Sequence, residues 1–190
     1  WFTSEMVNKA LNGIVLMLNE ADLKEWTSKY SVQIEAVKEA KEVGVIMAGN
    51  IPAVGFHDLL SVLISGHKVV VKMSSTDNVL LKVLIEKLIS IAPEFKDSIA
   101  FVDEVKNREF DAVIATGSDN SARYFEQYFS KKPNIIRRNR TSVAVLSGNE
   151  TPDELKELSN DVFQYFGLGC RNVSKIIVPE SYVLDPVFEA

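Results

Sequence analysis

Apolar residues recur at helical spacing in the first part of the chain. Four of them follow one another at steps of four, three and four, and so share one face of a predicted helix: Val7, Leu11, Ile14 and Leu18. Ser4 is the predicted N-cap, because its hydroxyl can accept a hydrogen bond from the first turn. A second helical stretch carries Trp26 and Tyr30. Residues 1–42 are therefore predicted to form an N-terminal helical segment.

From residue 43 onward, short runs rich in β-branched residues alternate with helical stretches. The predicted strands are residues 43–47, 68–73, 99–102 and 112–116. The predicted helices are residues 53–65, residues 77–91 with Asp77 as the N-cap, and residues 120–129. This alternation predicts a parallel sheet covered by helices, a Rossmann-like α/β domain over residues 43–136. Ligands of such domains bind at the carboxyl ends of the strands.

The last part of the chain carries a second, shorter α/β pattern. The junction between two domains is predicted near residues 134–140, which end in the basic stretch 137–140. Strands are predicted at residues 142–146 and 175–178. Between them, Thr151-Pro152-Asp153-Glu154 is typical of a helix start, with proline first and acids in the first turn. Residues 137–190 are predicted to be the start of a second α/β domain.

The composition disfavours nucleic-acid-binding, membrane-spanning and secreted proteins. The net charge of −5 disfavours a nucleic-acid-binding protein, which is expected to be basic. No apolar run reaches the roughly 20 residues of a transmembrane helix, and the first residues lack the basic start of a signal peptide. One cysteine in 190 residues cannot form an internal disulfide, which favours a reducing compartment. We therefore expect a cytoplasmic protein.

Two loops that directly follow predicted strands carry candidate side chains. Asn50, in the loop Gly49-Asn50-Ile51-Pro52, can direct its amide at an oxyanion or simply cap a turn. Lys72, followed by Ser74 and Ser75, can reach a ribose or a phosphate, or can leave the sheet as a solvated lysine.

A third loop and a basic cluster are also candidates for anion binding. Thr116, Gly117 and Ser118 precede a helix whose N-terminus favours a phosphate, although a plain strand-to-helix turn fits equally well. The basic cluster at residues 137–140 is either solvated or salt-bridged, or contacts a phosphate or coenzyme A. The two histidines show no metal-ligand spacing, so we expect no metal site.

Cys170 lies in the segment Gly167-Leu168-Gly169-Cys170-Arg171-Asn172. A tight turn with an open backbone and a neighbouring cation suits a reactive thiolate. The alternative is a buried, inert cysteine, which is the commoner situation of a free thiol.

The order of these loops resembles the aldehyde dehydrogenase superfamily and, within it, the bacterial fatty acyl-CoA reductases of the LuxC type. The stretches that carry the resemblance appear in the family's order: residues 44–52, 66–72, 110–118 and 167–170. The resemblance implies an aldehyde dehydrogenase-like fold in which residues 43–136 bind a nucleotide and residues 137–190 begin the catalytic domain.

The resemblance also implies roles for individual residues. Cys170 matches the nucleophile, and Asn50 matches the side-chain half of the oxyanion hole, with the Cys170 backbone N–H as the other half. The residues that match the cofactor site are Lys72 at the adenosine ribose, Ser74 and Ser75 just after it, and Thr116, Gly117 and Ser118 beside the pyrophosphate and nicotinamide. Because Ser75 stands where many NAD-specific members carry a glutamate, the resemblance favours NADPH, with NADH possible.

A second departure concerns the water-activating glutamate of hydrolytic aldehyde dehydrogenases. The corresponding residues, 135–140, contain no acid, although Glu150, Glu154 or Glu157 can in principle take its place. Coenzyme A ionises more easily than water and needs less help from a base. The resemblance therefore implies reduction of a fatty acyl-CoA to the aldehyde by NADPH, through a thioacyl-cysteine. The alternatives are a CoA-acylating or ordinary NAD(P)-dependent aldehyde dehydrogenase.

Members of the superfamily continue well beyond the position of Ala190, so we expect this sequence to be a fragment. A catalytically incomplete nucleotide-binding module, or a structural remnant, is then a further alternative. The expected partners are a small-molecule acyl-CoA and, in the full-length protein, a second copy of the chain.

Overall fold

The computed structural model describes residues 2–106 and 108–190. The chain forms two compact units, Trp1–Arg138 and Asn139–Ala190. The first unit includes the N-terminal helices together with the large sheet, so the segments predicted as 1–42 and 43–136 share one compact unit.

The first unit is a parallel sheet with helices. Its helices are α1 (Ser4–Met17), α2 (Glu20–Ser28), α3 (Ser31–Glu35), α4 (Phe56–Ile64), α5 (Leu80–Ile91) and α6 (Asp119–Tyr128). Its strands are β1 (Glu42–Ile46), β2 (Lys68–Lys72), β3 (Ile99–Phe101), β4 (Ala112–Thr116) and β5 (Asn134–Arg137). The strand order is β3-β2-β1-β4-β5, and every pair is parallel. This confirms the predicted Rossmann-like α/β architecture.

The sheet is apolar on both faces, as a parallel sheet covered by helices requires. Val69, Val70 and Val71, three successive residues of β2, are each almost completely buried. Val69 and Val71 belong to the core that includes α4 and α5, whereas Val70 belongs to a second core with Phe110 and Phe129. Successive side chains of a strand point to opposite faces, so the two cores lie on opposite sides of the sheet.

Two predicted N-caps are wrong. The cap of α1 is Thr3, whose hydroxyl accepts from the Met6 N–H at 3.2 Å. Ser4 is already the first helical residue, because a cap must keep an extended backbone outside the helix. Helix α5 begins only at Leu80, and Asp77 does not cap it.

The start of one helix and the presence of one strand also differ from the prediction. Helix α4 begins at Phe56, three residues after the predicted start, because the preceding residues form turns and Ala53 has a φ of 52°. Strand β5 was not predicted. It pairs with β4 in the register Ile114↔Ile135, and its basic end overlaps the stretch that we expected to separate two domains.

The second unit contains β6 (Ser142–Val145), α7 (Pro152–Phe163), β7 (Val173–Ile177) and α8 (Asp185–Glu189). Strands β6 and β7 form a parallel two-stranded sheet. Helix α7 begins with the predicted signal: Thr151 is the N-cap and Glu154 closes a reciprocal capping box.

Candidate active site

The strand order of the first unit reverses between β1 and β4, so a crevice is expected at the carboxyl ends of these two strands. The loop that carries Asn50 leaves β1, and the loop 116–118 leaves β4. Ile46 and Ala115 are partners in the register, so both loops start from the same edge of the sheet. The fold therefore places two of the three predicted loops on the two sides of the switch point.

The loop after β2 is joined to the loop after β1. The Thr76 hydroxyl donates to the Gly49 carbonyl at 3.0 Å, and the hydroxyls of Ser74 and Thr76 are 2.9 Å apart. A Cβ at position 49 would collide with both hydroxyls, so this close approach requires glycine. The structure thus brings the loops of Asn50 and Ser74 together through Thr76, a residue that the sequence analysis did not select.

Asp77 makes a second connection between these loops. Its carboxylate accepts from the Ala53 N–H at 2.6 Å. Burial raises the pKa of the Asp77 carboxyl, against the opposing effect of this hydrogen bond. Because Ala53 has a left-handed backbone, which costs a non-glycine residue about 1–2 kcal/mol, we infer that Asp77 holds this strained turn. Asn50 itself is half-buried in the bend between Gly49 and this turn.

A polar cavity of about 250 Å³ lies where β2 and β3 end. Its lining includes three predicted cofactor residues, Lys72, Ser74 and Ser75, together with Lys82 and Asp103. The Lys72 ammonium is 3.5 Å from the Met73 carbonyl oxygen. Two lysines and two serine hydroxyls against one carboxylate fit a ribose or phosphate group of a nucleotide.

The third loop is held by backbone contacts. The Gly117 N–H donates to the Arg137 carbonyl at 3.2 Å, which ties the loop to β5. Ser118 is the N-cap of α6, and its hydroxyl accepts from the Ser121 N–H at 3.3 Å. Thr116 is the last residue of β4. The loop therefore begins a ten-residue helix whose N-terminus faces the strand ends, the arrangement that suits a phosphate.

Two arginines of the basic cluster are paired with acids. Arg137 places one guanidinium nitrogen 2.5 Å from both carboxylate oxygens of Asp58, which lies on α4 and is only 7% exposed. Arg138 pairs with Glu126 on the more exposed surface. The salt-bridged alternative is thus confirmed for both residues. The ion pair of Arg137 with Asp58 links β5 to α4. Helix α4 follows the Asn50 loop, and β5 accepts the hydrogen bond from the Gly117 N–H.

Cys170 lies in the second unit, in a turn between α7 and β7, and is exposed. The alternative of a buried cysteine is therefore wrong. Asn172 closes this turn twice: its N–H donates to the Gly169 carbonyl at 3.0 Å, and its side-chain oxygen accepts from the Gly169 N–H at 2.7 Å. The side-chain amide also donates to the carbonyls of Asp161 at 2.9 Å and Gln164 at 3.1 Å.

The backbone just before this turn is left-handed. Tyr165, Phe166 and Gly167 have φ values of 54°, 58° and 70°. Two consecutive non-glycine residues in this region are unusual and costly. Such strain persists only where the surroundings impose it, and it concentrates at functional sites.

Two glutamates considered as alternative bases are committed to structural hydrogen bonds. Glu150 accepts from the hydroxyl and N–H of Ser147 and from the Gly148 N–H. Desolvation acts to raise the pKa of Glu150, but these hydrogen bonds outweigh it and lower the pKa to about 2. The N–H and hydroxyl of Thr151 lower the pKa of Glu154. A carboxylate that holds its proton so weakly is a poor general base near neutral pH.

The described ranges, 2–106 and 108–190, contain no group of three or more histidine, cysteine, aspartate or glutamate side chains able to hold a metal ion. No helix within them combines the length and apolar character needed to cross a bilayer.

A comparison with protein families agrees with the order of these loops along the chain and with the sheet topology. The model of the family described as acyl-CoA reductase (LuxC) matches residues 4–182. The chain belongs to this LuxC family. A comparison with curated protein sequences gave no significant match.

Solved structures similar to this LuxC-family chain include aldehyde dehydrogenases. An aldehyde dehydrogenase from Mycobacterium tuberculosis complexed with NAD+ matches 78% of the chain and 34% of its own length, with a TM-score of 0.68 and 18% identity. A propionaldehyde dehydrogenase mutant from a Clostridium phytofermentans fucose-utilisation microcompartment matches 79% of the chain and 38% of its own length, with a TM-score of 0.64 and 12% identity.

Proline utilization A from Corynebacterium freiburgense is also similar, with a TM-score of 0.69 and 16% identity over 84% of the chain and 19% of its own length. These likenesses confirm the aldehyde dehydrogenase-like fold. The chain spans between about a fifth and two fifths of the length of these three structures.

Proposed function

We propose that the chain carries the nucleophile and cofactor site of an enzyme that reduces a fatty acyl-CoA to the aldehyde with NADPH, through a thioacyl-cysteine on Cys170. The observation that carries this proposal is the LuxC family match over residues 4–182, which includes all proposed site residues. The exposure of Cys170 supports it, because an acyl-CoA must reach the sulfur.

The proposed first step is attack of the Cys170 thiolate on the thioester carbonyl carbon. The new carbon–sulfur bond forms while the carbonyl electrons move onto oxygen, and the tetrahedral oxyanion accepts a hydrogen bond from the Cys170 N–H. When the carbonyl re-forms, the bond to the sulfur of coenzyme A breaks and its thiolate leaves. The product is an acyl group held on Cys170 as a thioester.

The nicotinamide cofactor, when bound, supplies a hydride for the acyl carbon. Lys72, Ser74 and Ser75 would hold its adenosine part in the cavity at the ends of β2 and β3, which has the polar lining that a ribose needs. The loop from Thr116 to Ser118 would hold the pyrophosphate at the α6 N-terminus. Cys170 leaves as the thiolate when the aldehyde is released, which restores the nucleophile.

The fate of the acyl group depends on whether water can attack it. In the segment 135–140, Arg137 is paired with buried Asp58, and no residue is acidic. Glu150 and Glu154 are committed to hydrogen bonds that lower their pKa. These contacts support reduction over hydrolysis as far as Glu150 and Glu154 are concerned, because neither is available as an effective base. Glu157, the third alternative, is exposed on α7 and has no such commitment to any residue that the structure describes.

The preference for NADPH can be tested at Ser75. A carboxylate at this position would repel a 2′-phosphate, so Ser75→Glu should weaken NADPH binding by at least roughly tenfold while NADH binding changes little. Dissociation constants for both nucleotides, measured by the fluorescence of the bound reduced nicotinamide, would show the change. Ser75→Gln is the control of equal size, and an equal loss with both nucleotides in Ser75→Glu would contradict the assignment.

The proposed reaction can be followed by intact-mass spectrometry of the chain after incubation with a long-chain acyl-CoA. We expect an added acyl mass on Cys170, the one cysteine of the sequence. The adduct should disappear on addition of NADPH as free aldehyde forms. Release of the fatty acid would instead indicate hydrolysis and contradict the proposal.

A second candidate function is a nucleotide-binding module that completes no reaction. One observation favours it: all of the proposed cofactor residues lie within the first compact unit, so binding of a nucleotide there would not require Cys170. NADPH binding together with an acyl adduct that NADPH does not discharge would support this module and contradict turnover by the chain itself.

A further inference from the structure

We propose that Asn172 is the positioning residue of the Cys170 nucleophile. It fixes the turn that presents both the sulfur and the Cys170 N–H to the thioester. The inference rests on the proposed function, in which Cys170 becomes acylated. It concerns only residues of the second unit, between the end of α7 and the start of β7.

Asn172 makes four hydrogen bonds to backbone groups that precede Cys170 in the chain. Two close the turn from Gly169 to Asn172, one through its N–H at 3.0 Å and one through its side-chain oxygen at 2.7 Å. The other two run from its amide nitrogen to the carbonyls of Asp161 and Gln164, at 2.9 and 3.1 Å. Both carbonyls lie at the C-terminal end of α7, where carbonyls lack helical partners.

The way in which the turn is closed bears on the backbone N–H of Cys170, which the proposed function uses as a donor to the oxyanion. The turn is closed by the N–H groups of Gly169 and Asn172, so its closure does not use the Cys170 N–H. That N–H is the backbone donor that the proposed oxyanion hole requires, and its direction is set by the turn. Asn172 therefore affects the reaction by positioning Cys170, because its own side-chain oxygen and nitrogen bind backbone groups.

The same residue also stabilises the left-handed backbone before the turn. Gln164, whose carbonyl accepts from the Asn172 amide, immediately precedes Tyr165 and Phe166 with their positive φ values. An asparagine amide offers two donors and an acceptor on one short side chain. Alanine offers none of them, and aspartate keeps an acceptor but offers no donor to the two carbonyls.

The test compares two reactions of the same sulfur. Acylation by an acyl-CoA needs the oxyanion hole, whereas alkylation by iodoacetamide does not form an oxyanion. Both need the thiolate, so the ratio of their rates cancels any change in the fraction of Cys170 that is ionised. Because Cys170 is the one cysteine of the chain, both adducts can be counted by intact mass.

In Asn172→Ala, we expect the ratio of acylation to alkylation to fall roughly 10²-fold, as a displaced reacting group typically costs that much. Asn172→Asp should lower the ratio less, because it keeps the bond to the Gly169 N–H, and it serves as the test if the alanine variant does not fold. Asn160→Ala is the control, since the Asn160 side chain is exposed on α7 and only its backbone carbonyl accepts from Gln164.

An unchanged ratio in both Asn172 variants, with the wild-type chain acylated, would overturn the inference and leave the proposed function standing. Equal losses of acylation and alkylation would show that Asn172 only maintains the fold, and would also overturn the inference. A wild-type chain that iodoacetamide alkylates but acyl-CoA does not acylate would overturn the proposed function and the inference together.

Discussion

Replacement of Cys170 by alanine is expected to abolish acyl transfer from acyl-CoA and the NADPH oxidation that depends on it. The loss should be on the order of 10⁴-fold or more, because removal of a nucleophile eliminates the covalent pathway and leaves only binding. The measurement is the intact mass after incubation with acyl-CoA, together with NADPH consumption.

The matched variant is Cys170→Ser, which keeps the size and turn but replaces a thiol with a far less acidic hydroxyl. It should bind NADPH as the unaltered chain does, since the proposed cofactor residues lie in the first unit. NADPH oxidation that depends on acyl-CoA and persists in the alanine variant would show that Cys170 is not the nucleophile.

Replacement of Arg137 by methionine is expected to destabilise the first unit strongly. Asp58 is buried, and its carboxylate would lose the guanidinium that contacts both of its oxygens. Removing one partner of a buried ion pair costs about 3–5 kcal/mol, and the partial exposure of Arg137 favours the lower end. Urea denaturation followed by tryptophan fluorescence would measure the loss of free energy of unfolding.

Arg138→Met is the control from the next position of the chain. Arg138 and its partner Glu126 are each nearly half exposed, so this pair should contribute much less. Equal losses in the two variants would contradict the assignment of the stability to burial of Asp58.

A double variant separates the ion pair from the packing around it. In Asp58→Leu with Arg137→Met, no buried charge is left without a partner, so much of the lost stability should return. If the double variant is no more stable than Arg137→Met, the loss comes from packing of the arginine stem rather than from the carboxylate.

The arrangement of strands and helices was predictable because each element carries a local signal. The β-branched residues of β2 and the capping box at Thr151 act within a few residues of each other, and their physical cause is contained in the segment itself. Strand β5 carries a weaker signal, because it is short, its first two residues are exposed and it ends in arginine. Its pairing with β4 is what makes it a strand.

Sequence alone also determined the family and the candidate residues, because the loops that resemble LuxC proteins are short contiguous motifs. Only the tertiary structure decided how those loops are held. Asp77 is hydrogen-bonded to Ala53, Thr76 to Gly49, and Arg137 to Asp58, over separations of 24, 27 and 79 residues. The Asn172 side chain ties the Cys170 turn to the carbonyls of Asp161 and Gln164 at the C-terminal end of α7. Such contacts leave no periodic or local mark, because a polar side chain finds its buried partner only after the sheet and helices have brought distant segments together.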